Sequence, residues 1–66
     1  MIMRMTACDN PTSVGYKYLG IIANFNYNGN NFIFGSMYSS TVVSIVRKDN
    51  TLTIQTQNTK YTFEIE

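Results

Sequence analysis

From Thr51 to Ile65 the chain alternates between apolar and polar side chains: Thr53 and Gln55 separate Leu52, Ile54 and Thr56, and Thr62 and Glu64 separate Tyr61, Phe63 and Ile65. A period of two is the pattern of a half-buried β-strand, because successive side chains of a strand point to opposite faces of the sheet. Between the two runs, Gln57-Asn58-Thr59 has the composition of a turn. A turn at Asn58-Thr59 sets Thr56 opposite Tyr61, Ile54 opposite Phe63 and Leu52 opposite Ile65, so that the apolar side chains share one face. Upstream, Thr41-Val42-Val43-Ser44-Ile45-Val46-Arg47 is β-branched enough to form a third strand. A turn at Asp49-Asn50 then pairs Ile45 with Ile54 and Val43 with Thr56, giving a three-stranded meander over residues 41–66.

The first half carries a second hairpin signal in Asn28-Gly29, two residues that both tolerate the positive φ of a tight hairpin turn. Counting outward from it, Tyr27 meets Asn30, Phe25 meets Phe32, Ala23 meets Phe34 and Leu19 meets Tyr38. Gly20 and Gly35 fall inside these strands, where a residue without a side chain favours a bend or a bulge. Residues 1–7 are expected to add an edge strand with Met1, Met3 and Met5 on one side. Asp9-Asn10-Pro11-Thr12-Ser13 reads as a loop, or as one helical turn capped by Asp9 with Pro11 near its start. The expected fold is a single all-β domain over residues 1–66. It takes the form of a small five- or six-stranded antiparallel curved sheet, or a partly open barrel of the SH3-like or OB-like kind.

A chain of 66 residues has room for one small core, and cores of this size commonly supply about 3–5 kcal/mol, so a staple is often added. Cys8 is the only cysteine, which excludes an internal disulfide and indicates a reducing compartment. With no histidine and one thiol, a single chain has no set of residues for a structural zinc site. Self-association is the remaining staple, and a homo-oligomer is expected. Only seven residues precede Cys8, Arg4 among them, which is too short for a signal peptide. No stretch approaches the roughly 20 apolar residues of a membrane-spanning helix. The expected location is the cytoplasm.

Catalysis needs a base, a nucleophile or a metal held in place, and the chain has no histidine and only four carboxylates. Asp9 and Asp49 sit in turn sequences, where a short acid bonds to nearby backbone. Glu64 and Glu66 share one face at the end of the last strand and read as a solvated terminus. Cys8 reads as an inert packed thiol, since no histidine is present to activate it. Gly15 and Gly20 are followed by Ile21-Ile22 rather than by the Lys and Ser/Thr of a phosphate-binding loop. These features indicate a protein that is not an enzyme and uses neither cofactor nor metal.

Seven of the nine aromatic residues fall between Tyr16 and Tyr38, more than one side of a small core can absorb. Phe25, Phe32, Phe34 and Tyr61 are the natural core members. Tyr16, Tyr18, Tyr27 and Tyr38, with Lys17, are the expected contact residues, because tyrosine joins a rigid apolar body to a hydroxyl. The interleaved Tyr16-Lys17-Tyr18 is of a kind that stacks on single-stranded nucleic acid. A formal charge of +1, with five basic residues thinly spread, argues against that partner. Eight asparagines and eight threonines make the surface polar but uncharged, so recognition would rest on short-range hydrogen bonds. Ser44, Thr53, Gln55 and Gln57 share the outward face of the meander, where a small ligand could sit in a cleft between protomers.

The segment Thr41-Val42-Val43-Ser44-Ile45, followed by Thr53-Ile54-Gln55-Thr56-Gln57-Asn58-Thr59-Lys60-Tyr61-Thr62-Phe63, resembles a closing hairpin of short proteins from bacteriophages and mobile elements. The resemblance covers about a third of the chain and brings no site residue with it. It implies a phage accessory protein that disables a host enzyme or defence system, by occlusion or by capturing a signalling molecule. The leading expectation is therefore a non-enzymatic inhibitor of a host protein. An oligomeric sponge for a small signalling ligand and a weak single-strand nucleic-acid binder are the alternatives.

Overall fold

The computed structural model describes residues 2–24, 26–34 and 37–65. The fold is all-β, as the alternation requires. Its strands are β1 (Ile2–Cys8), β2 (Ile22–Asn24), β3 (Asn26–Tyr27), β4 (Phe32–Phe34), β5 (Met37–Tyr38), β6 (Val42–Lys48), β7 (Thr51–Thr56) and β8 (Lys60–Ile65), with one short 3-10 helix at Val14–Tyr18. Five strands form a larger antiparallel sheet in the order β2-β1-β8-β7-β6, and three form a smaller sheet in the order β3-β4-β5. No helix among the described residues is long and apolar enough to cross a membrane.

The β6-β7-β8 meander is present. Ile45 pairs with Ile54 across the turn at Asp49-Asn50, and Asp49 takes a φ of 55°, the left-handed region that aspartate tolerates better than most residues. Val42, not Val43, pairs with Thr56, because a bulge between Val42 and Ser44 pushes Val43 out of register. The β7-β8 register also differs from expectation: Ile54 pairs with Tyr61 and Leu52 with Phe63. The turn closes around Gln57-Asn58, one residue earlier than Asn58-Thr59. The buried Thr56 hydroxyl accepts the Thr59 N–H at 3.1 Å and donates to the Thr59 carbonyl at 2.8 Å, which locks the earlier turn. The two registers differ by two residues, so each side chain keeps its face. Leu52, Ile54, Thr56, Tyr61 and Phe63 all remain buried together.

β1 is an interior strand, paired with β8 on one side and β2 on the other, where the sequence reading placed it at an edge. Met3 and Met5 are fully buried, and Met1 lies outside the described residues. A bulge between Met5 and Ala7 then changes the parity of the strand, so that Cys8, opposite Tyr61, reaches the core in place of Ala7.

The first hairpin is rebuilt most. Tyr27 pairs with Phe32 and Asn26 with Ile33, and Asn28 donates its N–H to the Asn31 carbonyl at 3.2 Å. The turn is therefore Gly29-Asn30, with Gly29 at a φ of 96°. The Asn28 side chain sets this choice by accepting the N–H groups of Asn30 and Asn31 at 3.0 and 2.8 Å. Phe25, Gly35 and the proposed pairing of Phe25 lie outside the described residues. Ala23 pairs with Met3 instead of Phe34, because β2 leaves the hairpin to join the larger sheet. Tyr38 pairs with Ile33 instead of Leu19. Leu19 closes the 3-10 helix, which Ser13 caps, not Asp9; the Asp9 carboxylate instead accepts the Lys60 N–H at 2.8 Å. Gly20 follows in a turn at a φ of 81°, from which its N–H reaches the Met5 carbonyl at 2.8 Å.

The core lies on the face of the larger sheet that carries Met3, Met5, Cys8, Leu52, Ile54, Tyr61 and Phe63. Phe32 of the smaller sheet inserts among them, and Tyr18, Leu19, Val42 and Ile65 pack around the rim.

Candidate binding site

Neighbouring strands of an antiparallel sheet run in opposite directions, so the end of β1, the start of β8, the end of β7 and the start of β6 meet at one end of the larger sheet. The connecting segments are tied there by backbone bonds from Asp9 to Lys60 at 3.2 Å and from Gln57 to Thr41 at 3.0 Å. Between them lies a cleft of about 180 Å3, lined by Asn10, Ser13, Val14, Tyr38, Ser40, Asn58, Thr59 and Tyr61.

Each wall is fixed locally. The Asn10 carboxamide oxygen accepts the Thr12 N–H at 3.1 Å and its hydroxyl at 2.7 Å, while the Ser13 N–H donates to the Asn10 carbonyl at 2.9 Å. Pro11, whose φ is set in advance, suits the first central position of this turn. Ser13 then starts the helix: its hydroxyl accepts the Gly15 N–H at 3.2 Å and lies 3.3 Å from the Tyr61 hydroxyl. Gly15 is buried directly beneath the Tyr61 ring. Ser13→Ala removes this cap and is expected to cost about 1 kcal/mol, read as a lowered unfolding midpoint in urea at unchanged slope.

The lining is uncharged. Serine and threonine hydroxyls, asparagine amides and phenols can each donate and accept, so the cleft suits a neutral polar group. Ligand pockets usually span roughly 300–1,000 Å3. At about 180 Å3 this cleft fits a single side chain or the tip of a turn better than a larger molecule.

Of the five tyrosine and lysine positions expected to make contacts, only Tyr38 lines the cleft, and it is 65% exposed. Tyr16 and Lys17 are exposed on the 3-10 helix, and Tyr18 is half-buried against the core. The interleaved Tyr16-Lys17-Tyr18 therefore does not form a row of open rings. Tyr27 is exposed at the far hairpin, where its hydroxyl donates to the Gly29 carbonyl at 3.1 Å. Ser44, Thr53, Gln55 and Gln57 do not line the cleft.

Asn10, Ser13, Ser40, Asn58 and Thr59 were not legible as site residues, because each lies in a segment whose turn chemistry already accounts for its composition. Tyr61 was read correctly as a core residue, and its ring is buried; its hydroxyl reaches the cleft floor. The signal that could have found the site is topological: three polar connections gather at the same end of one sheet. Among the described residues no group of three or more histidine, cysteine or acidic side chains lies together. Cys8 is buried, with its thiol 3.8 Å from the Asn10 carbonyl.

Fold and cleft together define a small antiparallel β-protein with an uncharged, turn-built recess at one end of its larger sheet. Compared with protein-family models, curated proteins and solved structures, the chain matches none of them.

Proposed function

We propose that the protein is a non-enzymatic binding protein that acts by contact with a protein partner, using the cleft at the end of the larger sheet as its recognition surface. One observation carries this reading: Tyr38, 65% exposed, stands at the lip of an uncharged cleft whose lining, Val14 apart, consists of residues with hydroxyl or amide side chains. A rigid, amphipathic aromatic beside a recess is the usual build of an interface hot spot, where one ring supplies area and the recess accepts a partner side chain. The absence of charge in the lining favours close fit over long-range steering. A protein of this kind would inhibit by occlusion, covering a surface its partner needs.

The test is Tyr38→Ala. The substitution lies on an exposed side chain, so the melting temperature is expected to stay within experimental error of the wild type. Binding to a partner recovered from host lysate is expected to weaken by about 30-fold or more, the effect of losing a hot-spot residue. Retention of full affinity by the folded variant would remove Tyr38 from the contact surface. A second reading, capture of a small neutral ligand, is favoured by the uncharged hydroxyl and amide lining of the cleft. It predicts a discrete extra mass on the protein in native mass spectrometry, lost on Tyr38→Ala.

A further inference from the structure

We infer that the cleft is a carboxamide subsite, filled by the side chain of an asparagine or glutamine of the partner, with Thr59 as the residue that selects it; the inference rests on the reading of this cleft as the recognition surface. Thr59 is 3% exposed, yet its hydroxyl bonds to no described residue. Its backbone is engaged, since the N–H donates to the Thr56 hydroxyl oxygen at 3.1 Å and the carbonyl accepts that hydroxyl at 2.8 Å. Among the described residues no enclosed side-chain nitrogen or oxygen lacks a partner, so the Thr59 hydroxyl is the part of the residue that solvent reaches. The cleft, which Thr59 lines, is where it is reached. A nearly buried hydroxyl left open to one recess is a hydrogen-bonding group kept for an occupant.

Asn10 fixes what that occupant must offer. Its carboxamide oxygen takes both the N–H and the hydroxyl of Thr12. A backbone N–H only donates, so the atom that faces it is the oxygen, and the NH2 is what the Asn10 side chain has left to give. The lining therefore holds one group that can only donate, the Asn10 NH2, and one that can accept, the Thr59 hydroxyl. Ser40, whose hydroxyl likewise bonds to no described residue, adds a second of the latter kind.

A carboxamide matches this set, with its oxygen toward the Asn10 NH2 and its own NH2 toward the hydroxyls. A carboxylate would find no cation in the lining and has nothing to donate, and an ammonium has nothing for the Asn10 NH2 to bond. A hydroxyl has one polar atom to share among all these groups, and an apolar side chain would leave Thr59 unpaired. Sites built to hydrogen-bond an occupant reject analogues that lack the matching groups. Val14 and Tyr38 add apolar surface to the same recess, which suits the methylene stem that carries the amide.

The test is a titration of the isotope-labelled full chain, followed by NMR, with acetamide and with acetate and isopropanol, which share its size. Acetamide is expected to shift the signals of Asn10, Ser40 and Thr59 saturably with a millimolar Kd, and the other two to bind at least about fivefold more weakly. Thr59→Val keeps the shape of the side chain and every bond that Thr59 makes within the protein, so its melting temperature should match the wild type while acetamide affinity falls at least about fivefold. Thr59→Ser, which keeps the hydroxyl, should retain that affinity. A capped Gly-Asn-Gly peptide should bind more tightly than acetamide and than its Gly-Asp-Gly counterpart. Shifts that stay linear up to about 500 mM acetamide, equal or tighter binding of acetate or isopropanol, or full acetamide affinity in folded Thr59→Val would each overturn the subsite. Tighter binding of acetamide than of the asparagine peptide would assign the recess to a free small amide and overturn the partner assignment. The two readings fail separately: if Tyr38→Ala weakens partner binding and Thr59→Val does not, the contact surface stands and the carboxamide subsite falls.

Discussion

Phe32→Ala is expected to leave most of the protein unfolded at room temperature. The ring is fully buried and is the one described side chain of the smaller sheet within the buried core. It meets Tyr61 edge-on, with centroids 4.9 Å apart and planes at 80°, and Phe63 likewise at 5.6 Å and 88°. Such contacts contribute beyond the area they bury. Removing a buried phenylalanine costs about 3–5 kcal/mol, as much as a core of this size commonly supplies in total. The variant should lose its cooperative thermal transition and its near-ultraviolet aromatic circular dichroism. Phe32→Leu, which keeps most of the volume, should retain a cooperative transition at lower temperature. A wild-type melting curve for Phe32→Ala would mean that the smaller sheet is not held to the larger one through this ring.

Gly15→Ala is expected to produce the second-largest loss, although it adds a single methyl group at a helix position where alanine is intrinsically favoured. A Cβ on Gly15 overlaps the Tyr61 ring at Cε1, with Cζ and the hydroxyl oxygen also in contact. That ring cannot move aside freely, because Phe32 packs on it and its hydroxyl meets Ser13. Overpacking of this kind costs about 1–3 kcal/mol and sometimes more. The cause can be separated by a double-mutant cycle. In a Tyr61→Phe background the ring remains and the penalty of Gly15→Ala should persist. In a Tyr61→Leu background the penalty should shrink, leaving a coupling of about 0.5–3 kcal/mol. Equal penalties in both backgrounds would point to the backbone of the helix, not to the ring.

These two residues differ in how visible they were. Phe32 could be read as core from its place in a run of aromatics near a hairpin signal. Nothing around Gly15 foretold its role, because the one helical turn the sequence offers lies before it, at Asp9 to Ser13, and the hairpin counted outward from Asn28-Gly29 begins after it, at Leu19. The 3-10 helix exists because Ser13 caps it and Gly20 ends it with a left-handed residue. Five residues are too few for a hydrophobic period to show in the sequence. The cleft was hidden for a related reason. Tyr38 was singled out as a contact residue, but the hydroxyls and amides around it come from connections far apart in the chain.

What the sequence determined by itself is what local periodicity and turn chemistry determine. Alternation placed Leu52, Ile54, Tyr61 and Phe63 on one buried face, and the Asp49-Asn50 turn brought Ile45 opposite Ile54. The tertiary structure decided which strands became neighbours and in which register. β1 lies between β2 and β8, and β2 belongs to the larger sheet instead of its own hairpin. The side chains of Thr56 and Asn28 each shifted a turn by one residue. Strand pairing across the chain is a competition among edges that offer the same backbone groups. The winner is set by which arrangement buries Met3, Met5, Phe32 and Phe63 together, a property of the whole assembly that no local window of sequence contains.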